Sequence, residues 1–182
     1  MIKTHFIAPY SIEKNFGKAI NVQVSLIPDE DWVAVLDGDA MFLTPDWGQQ
    51  VSDVVNKYHN KYSLIGCMTN RLGRNIQRHK GEFSNNFDIK HHYDIAVSLR
   101  DENYGIVKDI TDRKKIAGMF MLFPKSLWNT IKFEENTSNF DDLFSAAVIK
   151  NKGRLGLMTG LYMFHCYRIW SDRPKWDDEH LK

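Results

Sequence analysis

Apolar and polar positions along the chain switch between two periods, and each switch marks an element. A short apolar-rich run over 4–8 ends at Pro9-Tyr10 and predicts a first strand. Over 17–27 the apolar residues recur at helical intervals, with Ala19, Val22 and Leu26 in one stripe and Ile20, Val24 and Ile27 in the next. Pro28-Asp29 ends that helix. Trp32-Val33-Ala34-Val35-Leu36 is apolar without interruption, the pattern of a strand covered on both faces, and it stops at Asp37-Gly38-Asp39. Strand, helix and strand in this order form the unit of a parallel sheet.

Beyond the acids, Thr44-Pro45 supplies an N-cap with proline at the first helical position. Trp47, Val51, Val54, Val55, Tyr58 and Tyr62 follow at helical spacing. A strand is predicted over 63–68, leaving through a polar turn over 69–73. The stretch 74–113 has no clear period and reads as an irregular insert with a candidate strand over 95–99. A second apolar run over 116–123 carries Gly118 and is broken by Pro124-Lys125, before a short helix over 126–130. Ser138 or Asn139 caps a helix over 140–151, with Gly153 as its left-handed stop. Strands over 155–158 and 161–165 complete a single domain over 1–170, and 171–182 reads as a solvated tail.

Composition narrows the picture. A chain of 182 residues is long enough to bury a substantial core. Its 24 Lys and Arg balance 23 Asp and Glu, so global charge gives no support for a nucleic-acid partner or an acidic membrane. Cys67 and Cys166 fit neither a zinc spacing nor a disulfide framework and read as reduced core thiols. No apolar run approaches the roughly 18 residues of a membrane span, and the N-terminal residues lack a signal-peptide pattern. A cytoplasmic protein without a transmembrane segment is expected. The aromatic content of 13% suits a core as well as it suits a surface that stacks flat ligands.

Candidate chemistry begins where the buried strand ends. Two carboxylates one residue apart repel each other unless a cation or a shared proton lies between them, so Asp37 and Asp39 ask for a divalent metal. An Asp-Gly turn is also a common structural device. Asp141-Asp142 opens a predicted helix, where acids are stabilised by the helix dipole whether or not they act chemically. His165 closes an apolar run, a place where interior histidines are common.

Taken in order, these segments resemble a nucleotide-sugar glycosyltransferase of the GT-A fold, most of all glycosyltransferase family 2. Gly17-Lys18-Ala19-Ile20-Asn21 is similar to that family's Gly-x-Ala-x-Asn helix opening, and Asp37-Gly38-Asp39 resembles its DxD motif. Gly118 to Phe123 resembles the strand beneath the acceptor site. Asp141-Asp142 stands where the family has an acidic pair, and the interval from Asp142 to Gly153 equals that from the family's catalytic carboxylate to a conserved turn glycine. The resemblance runs from Gly17 through His165 and leaves 74–113 unmatched.

It implies an α/β fold with a Rossmann-like, mixed, mostly parallel central sheet flanked by helices. It also implies a metal-dependent, inverting transfer of a sugar from a UDP- or GDP-sugar to a carbohydrate or other hydroxyl acceptor. Pro9, Tyr10, Lys18, Asn21, Asp37, Gly38 and Asp39 would contact the donor, and Asp37, Asp39 and His165 would hold Mn²⁺ or Mg²⁺. Asp142, with Asp141 beside it, would take the acceptor proton. Phe140, Phe144, Trp170 and Trp176 are the aromatic residues available to an acceptor. The chain reaches its paired acids after only 36 residues, which leaves no residue assigned to reading the nucleotide base.

Three other readings compete. A binding module could keep the scaffold without turnover. A haloacid-dehalogenase-type phosphotransferase also ends a strand in Asp-x-Asp, but Ala40 stands where that family has Thr or Val. A nucleotidyltransferase shares the metal carboxylates, yet Pro9-Tyr10-Ser11 offers no glycine-rich basic loop.

Overall fold

The apolar run of Trp32, Val33, Ala34 and Val35 is buried on both faces in the computed structural model, which describes residues 2–73, 75–113 and 115–167. Val33 and Val35 join one core cluster and Trp32 and Ala34 the other, as the two-residue strand period requires. This strand, β2 (Trp32–Leu36), pairs in parallel with β1 (Thr4–Ile7), and α1 (Phe16–Val24) connects them. Next to β2 on its other side lies β6 (Phe120–Pro124), then β4 (Leu64–Thr69), then the long β7 (Leu155–His165). The outer edge of β7 carries two short strands. β5 (Val107–Asp109) pairs near its start, and β3 (Ala40–Phe42) pairs at its end.

The result is a mixed seven-stranded α/β sheet flanked by helices. Four of its strands, β1, β2, β4 and β7, run in one direction, and β3, β5 and β6 run in the other. Only β1 with β2 and β4 with β7 run parallel, while the other four pairings are antiparallel. Two of these come from β6, which enters between β2 and β4 from the opposite end, and two from β3 and β5 on the edge of β7.

One core cluster gathers Ile20 and Val24 of α1 with Phe144 and Val148 of α5 (Phe140–Lys150). The second gathers Val51, Val54 and Val55 of α2 (Trp47–Tyr58). Of the two stripes expected on the first helix, only Ile20, Val24 and Ile27 are buried, whereas Val22 and Leu26 face solvent, and α1 stops at Val24. On α2, Asp46 rather than Thr44 stands at the N-cap; Thr44 is buried and its hydroxyl accepts from Gln50 Nε2 at 3.3 Å.

The region 74–113 is not irregular throughout. It contains α3 (Ile89–Asn103), a 15-residue helix that packs on β7, together with β5. The candidate strand over 95–99 lies inside this helix. His92 and Ala96 are buried and Ile95 and Leu99 half-buried, which is a helical stripe with a histidine at an apolar position. The polar ring masked the period.

Two further details differ from the sequence pattern. The strands expected over 155–158 and 161–165 are one strand, with a register shift opposite Cys67 and Met68 that accommodates three extra residues of β7. At the end of α5 the left-handed residue is Lys152 (φ 62°), not Gly153. Lys152 N–H donates to Ile149 O and Gly153 N–H to Val148 O, a Schellman closure. Glycine at 153 serves close approach instead, since a Cβ there would come within 2.6 Å of Val148 Cγ1. Short α4 (Lys125–Thr130) follows β6. Both cysteines are free thiols, Cys67 buried and Cys166 half-buried. Among the described residues no helix is long and apolar enough to cross a membrane. The expected tail over 171–182, with Trp176, lies outside the described residues, as does Trp170.

Candidate metal centre

Asp37 and Asp39 flank the turn between β2 and β3. Ala40 N–H closes the turn on Asp37 O at 3.3 Å, Asp37 N–H donates to Met119 O at 3.1 Å, and Cys166 N–H donates to Asp39 O at 2.8 Å. The turn is thus tied to a neighbouring strand on each side. A Cβ on Gly38 would meet nothing within 4 Å, so the fold itself makes no demand for glycine there.

The last residue of β7 brings the third group. His165 is 3% exposed, and its Nε2 lies 3.2 Å from Asp39 Oδ1 and 3.6 Å from Asp37 Oδ2. On the other side of the ring, Nδ1 donates to Arg71 O at 3.0 Å. With Nδ1 committed to Arg71, Nε2 is the nitrogen left facing the two acids, where it can donate to Asp39 or, with a metal bound, would serve as the ligand atom. One ligand atom from each of the three residues lies within 4.8 Å of the others.

Charge is concentrated here. Burial, opposed by His165 and reinforced by the charges of Asp39 and Asp141, pushes Asp37 up to about 6. Asp39 moves the other way, its carboxyl held low by the hydrogen bond to His165. Two carboxylate oxygens and one imidazole nitrogen suit a small divalent ion, with the nitrogen favouring Mn²⁺ over Mg²⁺.

The acidic pair of α5 faces this centre through one member. Asp141 Oδ2 accepts the N–H of Gly118 at 2.9 Å and its Oδ1 accepts the N–H of Asp142 at 2.8 Å. Burial, and secondarily the charge of Asp142, raises the Asp141 pKa against these two bonds. Asp142 is paired with Lys115 at 2.6 Å. The approach to β6 is held almost entirely by side chains. Ile116 N–H donates to Ser145 Oγ at 3.1 Å and Ala117 N–H to Gln77 Oε1 at 2.8 Å, just before the Gly118–Asp141 bond.

The remaining residues expected at a donor or acceptor are placed as follows. Tyr10 is 79% exposed and Pro9 half-buried. Tyr10, Asn15, Lys18 and Gln23 line an open cavity of about 410 Å³ beside α1. Asn21 does not face such a space. Its Oδ1 accepts from Trp128 Nε1 and Phe133 N–H, while its Nδ2 donates to Phe133 O and Glu135 Oε1, so all four hydrogen-bonding sites of the amide join α1 to 128–135. Phe144 is a core residue, 1% exposed and stacked on Phe133 at 4.1 Å. Phe140 is half-buried and meets Phe16 at 6.1 Å.

Sequence patterning passed over Asn70, Arg71, Gln77 and Lys115. The available signal was position: Asn70 and Arg71 directly follow β4, at the same sheet rim as the acids.

No protein-family model matches the chain, and no curated protein matches it. Among solved structures, a UDP-glucose pyrophosphorylase from Acinetobacter baumanii is similar over 91% of this chain and 60% of its own, at 12% identity and a TM-score of 0.46. The chain therefore spans three-fifths of that structure's length.

Proposed function

We propose that this chain is a metal-dependent glycosyltransferase that uses a nucleotide diphosphate sugar as donor. The observation that carries the reading is the convergence of Asp37, Asp39 and His165 at the rim of a mixed α/β sheet, with His165 Nε2 turned toward both acids. Mn²⁺ or Mg²⁺ held by these three residues would neutralise the diphosphate as it leaves, the need that paired carboxylates at a strand end meet in such chemistry. Asp37 and Asp39 orient that end of the donor, and Lys18 and Tyr10 are its further contacts.

The acceptor hydroxyl forms the new bond to the anomeric carbon as the bond to the diphosphate oxygen breaks with its electron pair. A carboxylate takes the hydroxyl proton. We place that base at Asp141, whose charge reaches Asp37 and whose pKa is raised by burial. Asp142, named as base by the family resemblance, has one carboxylate oxygen engaged by Lys115 at 2.6 Å.

Incubation with UDP- and GDP-sugars, Mn²⁺ and a panel of carbohydrate acceptors tests the reading, with nucleoside diphosphate release and a glycosylated acceptor as the expected result. Pyrophosphate release from a nucleoside triphosphate and a sugar 1-phosphate would assign a nucleotidyltransferase instead. Donor binding with no product across the panel would assign a binding module.

A further inference from the structure

The segment 70–88 leaves β4 and returns to His165 by two routes. Asn70 grips the histidine backbone in both directions, Oδ1 accepting from His165 N at 2.8 Å and Nδ2 donating to His165 O at 3.3 Å. The carbonyl of the next residue, Arg71, accepts from the ring at Nδ1. Ser84 N–H returns to Asn70 O at 3.1 Å. Asn86 O lies 2.8 Å from His92 Nε2, His92 Nδ1 lies 2.7 Å from the Tyr162 hydroxyl, and Tyr162 is on β7 three residues before His165. The circuit closes on the strand from which it started.

At its centre is a side chain that is hard to explain as packing alone. Arg71 is 0% exposed, and its guanidinium lies 4.7 Å from the centre of the Phe83 ring and 4.8 Å from that of Phe87. A planar cation placed against two aromatic rings is held by cation–π attraction, and the anchored side chain restricts the backbone that carries it. That backbone presents the carbonyl on which the His165 tautomer depends. In water the two neutral tautomers of histidine lie close in energy, so a ligand nitrogen at Nε2 needs an acceptor fixed at Nδ1.

We propose that Arg71 is a positioning residue for the metal centre, its guanidinium clamped by Phe83 and Phe87 so that its carbonyl holds His165 with Nε2 toward Asp37 and Asp39. The inference rests on the metal reading of that triad. Arg71 touches neither metal nor substrate in this role.

Two variants test it, Arg71→Lys, which keeps the charge but loses the stacking plane, and Phe87→Leu, which removes one ring from a 40% exposed position. Imidazole ¹⁵N spectra of the metal-free protein report whether Nδ1 carries a proton, and calorimetry with Mn²⁺ alone reports affinity. The parent should show His165 protonated at Nδ1. Arg71→Lys should show mixed tautomers and bind Mn²⁺ roughly 10–100-fold more weakly, with Phe87→Leu shifted less in the same direction. A parental tautomer in folded Arg71→Lys overturns the proposal; if that variant does not fold, a parental tautomer in Phe87→Leu does so. A parent that binds no Mn²⁺ defeats the metal reading, while the spectra still decide the role of Arg71.

Discussion

Gly118 gives its backbone N–H to Asp141 Oδ2 at 2.9 Å, and the ring of Phe140 occupies the space where a side chain at 118 would be. The acidic turn of α5 is therefore docked just ahead of β6 by a backbone bond and by a ring contact that depends on the missing Cβ. Through the adjacent Met119, whose carbonyl accepts from Asp37 N–H, the same short segment reaches the acid at the end of β2. One loop sets the spacing between the two acidic groups.

Gly118→Ala would place a Cβ 2.9 Å from Phe140 Cζ and 3.2 Å from Cε2. The Phe140 ring is itself braced against Phe16 and Phe133, so the overlap is expected to destabilise the fold by about 1–3 kcal/mol. Urea unfolding measures that loss. Transfer activity should fall further than stability does, because Asp141 moves with Phe140, and Mn²⁺ affinity should stay near parental.

Asp141→Asn and Asp142→Asn separate the two candidate bases. Removing the base is expected to lower kcat by about 10²–10⁴-fold with donor binding intact. Asp141→Asn should show that loss, and Asp142→Asn a smaller one through release of Lys115. A full loss confined to Asp142→Asn would move the base one residue along the helix.

Asn21→Ala tests whether that residue supports the fold or contacts the donor. With its four hydrogen bonds all made inside the protein, the amide holds α1 against 128–135. Its removal leaves Trp128 Nε1 and the Phe133 backbone without their partner, with an expected stability loss of about 1–3 kcal/mol. Donor affinity, read by calorimetry, should not change beyond what the altered stability explains.

Strong local patterns carried most of the architecture. The buried run of β2, the helical spacing of Val51, Val54 and Val55 and the acid-opened α5 are each set by a few neighbouring residues, and each stands where its pattern predicts. The losses came where tertiary contacts override pattern. α3 hid behind His92, which fills an apolar position because Tyr162 and Asn86 satisfy its ring. β3 and β5 are three residues each and exist through pairing with β7, a partner more than 45 residues away in sequence from either. For the site, the carboxylates of 37 and 39 were readable because a buried strand ends at them. The supports were not: Arg71 acts through a carbonyl, which no side-chain motif records, and Gln77 acts on Ala117, 40 residues away.

The raised pKa of Asp37 gives a pH signature in the absence of metal. Its carboxyl titrates near 6 in the folded protein against an ordinary 3.8, because of burial and the nearby charges of Asp39 and Asp141. Between those values the folded state holds more protons than the unfolded chain. Stability therefore falls as pH rises from about 3.8 to about 6, the reverse of a salt-bridged acid. Asp37→Asn, which cannot ionise, should lose this segment of the profile and be more stable than the metal-free parent above pH 6. Mn²⁺ should cancel the difference, since binding favours the deprotonated carboxylate and adds stability only to the parent. Thermal unfolding across this pH range, with and without Mn²⁺, reads both effects. Parallel profiles for parent and variant without metal would show that Asp37 ionises normally in the fold.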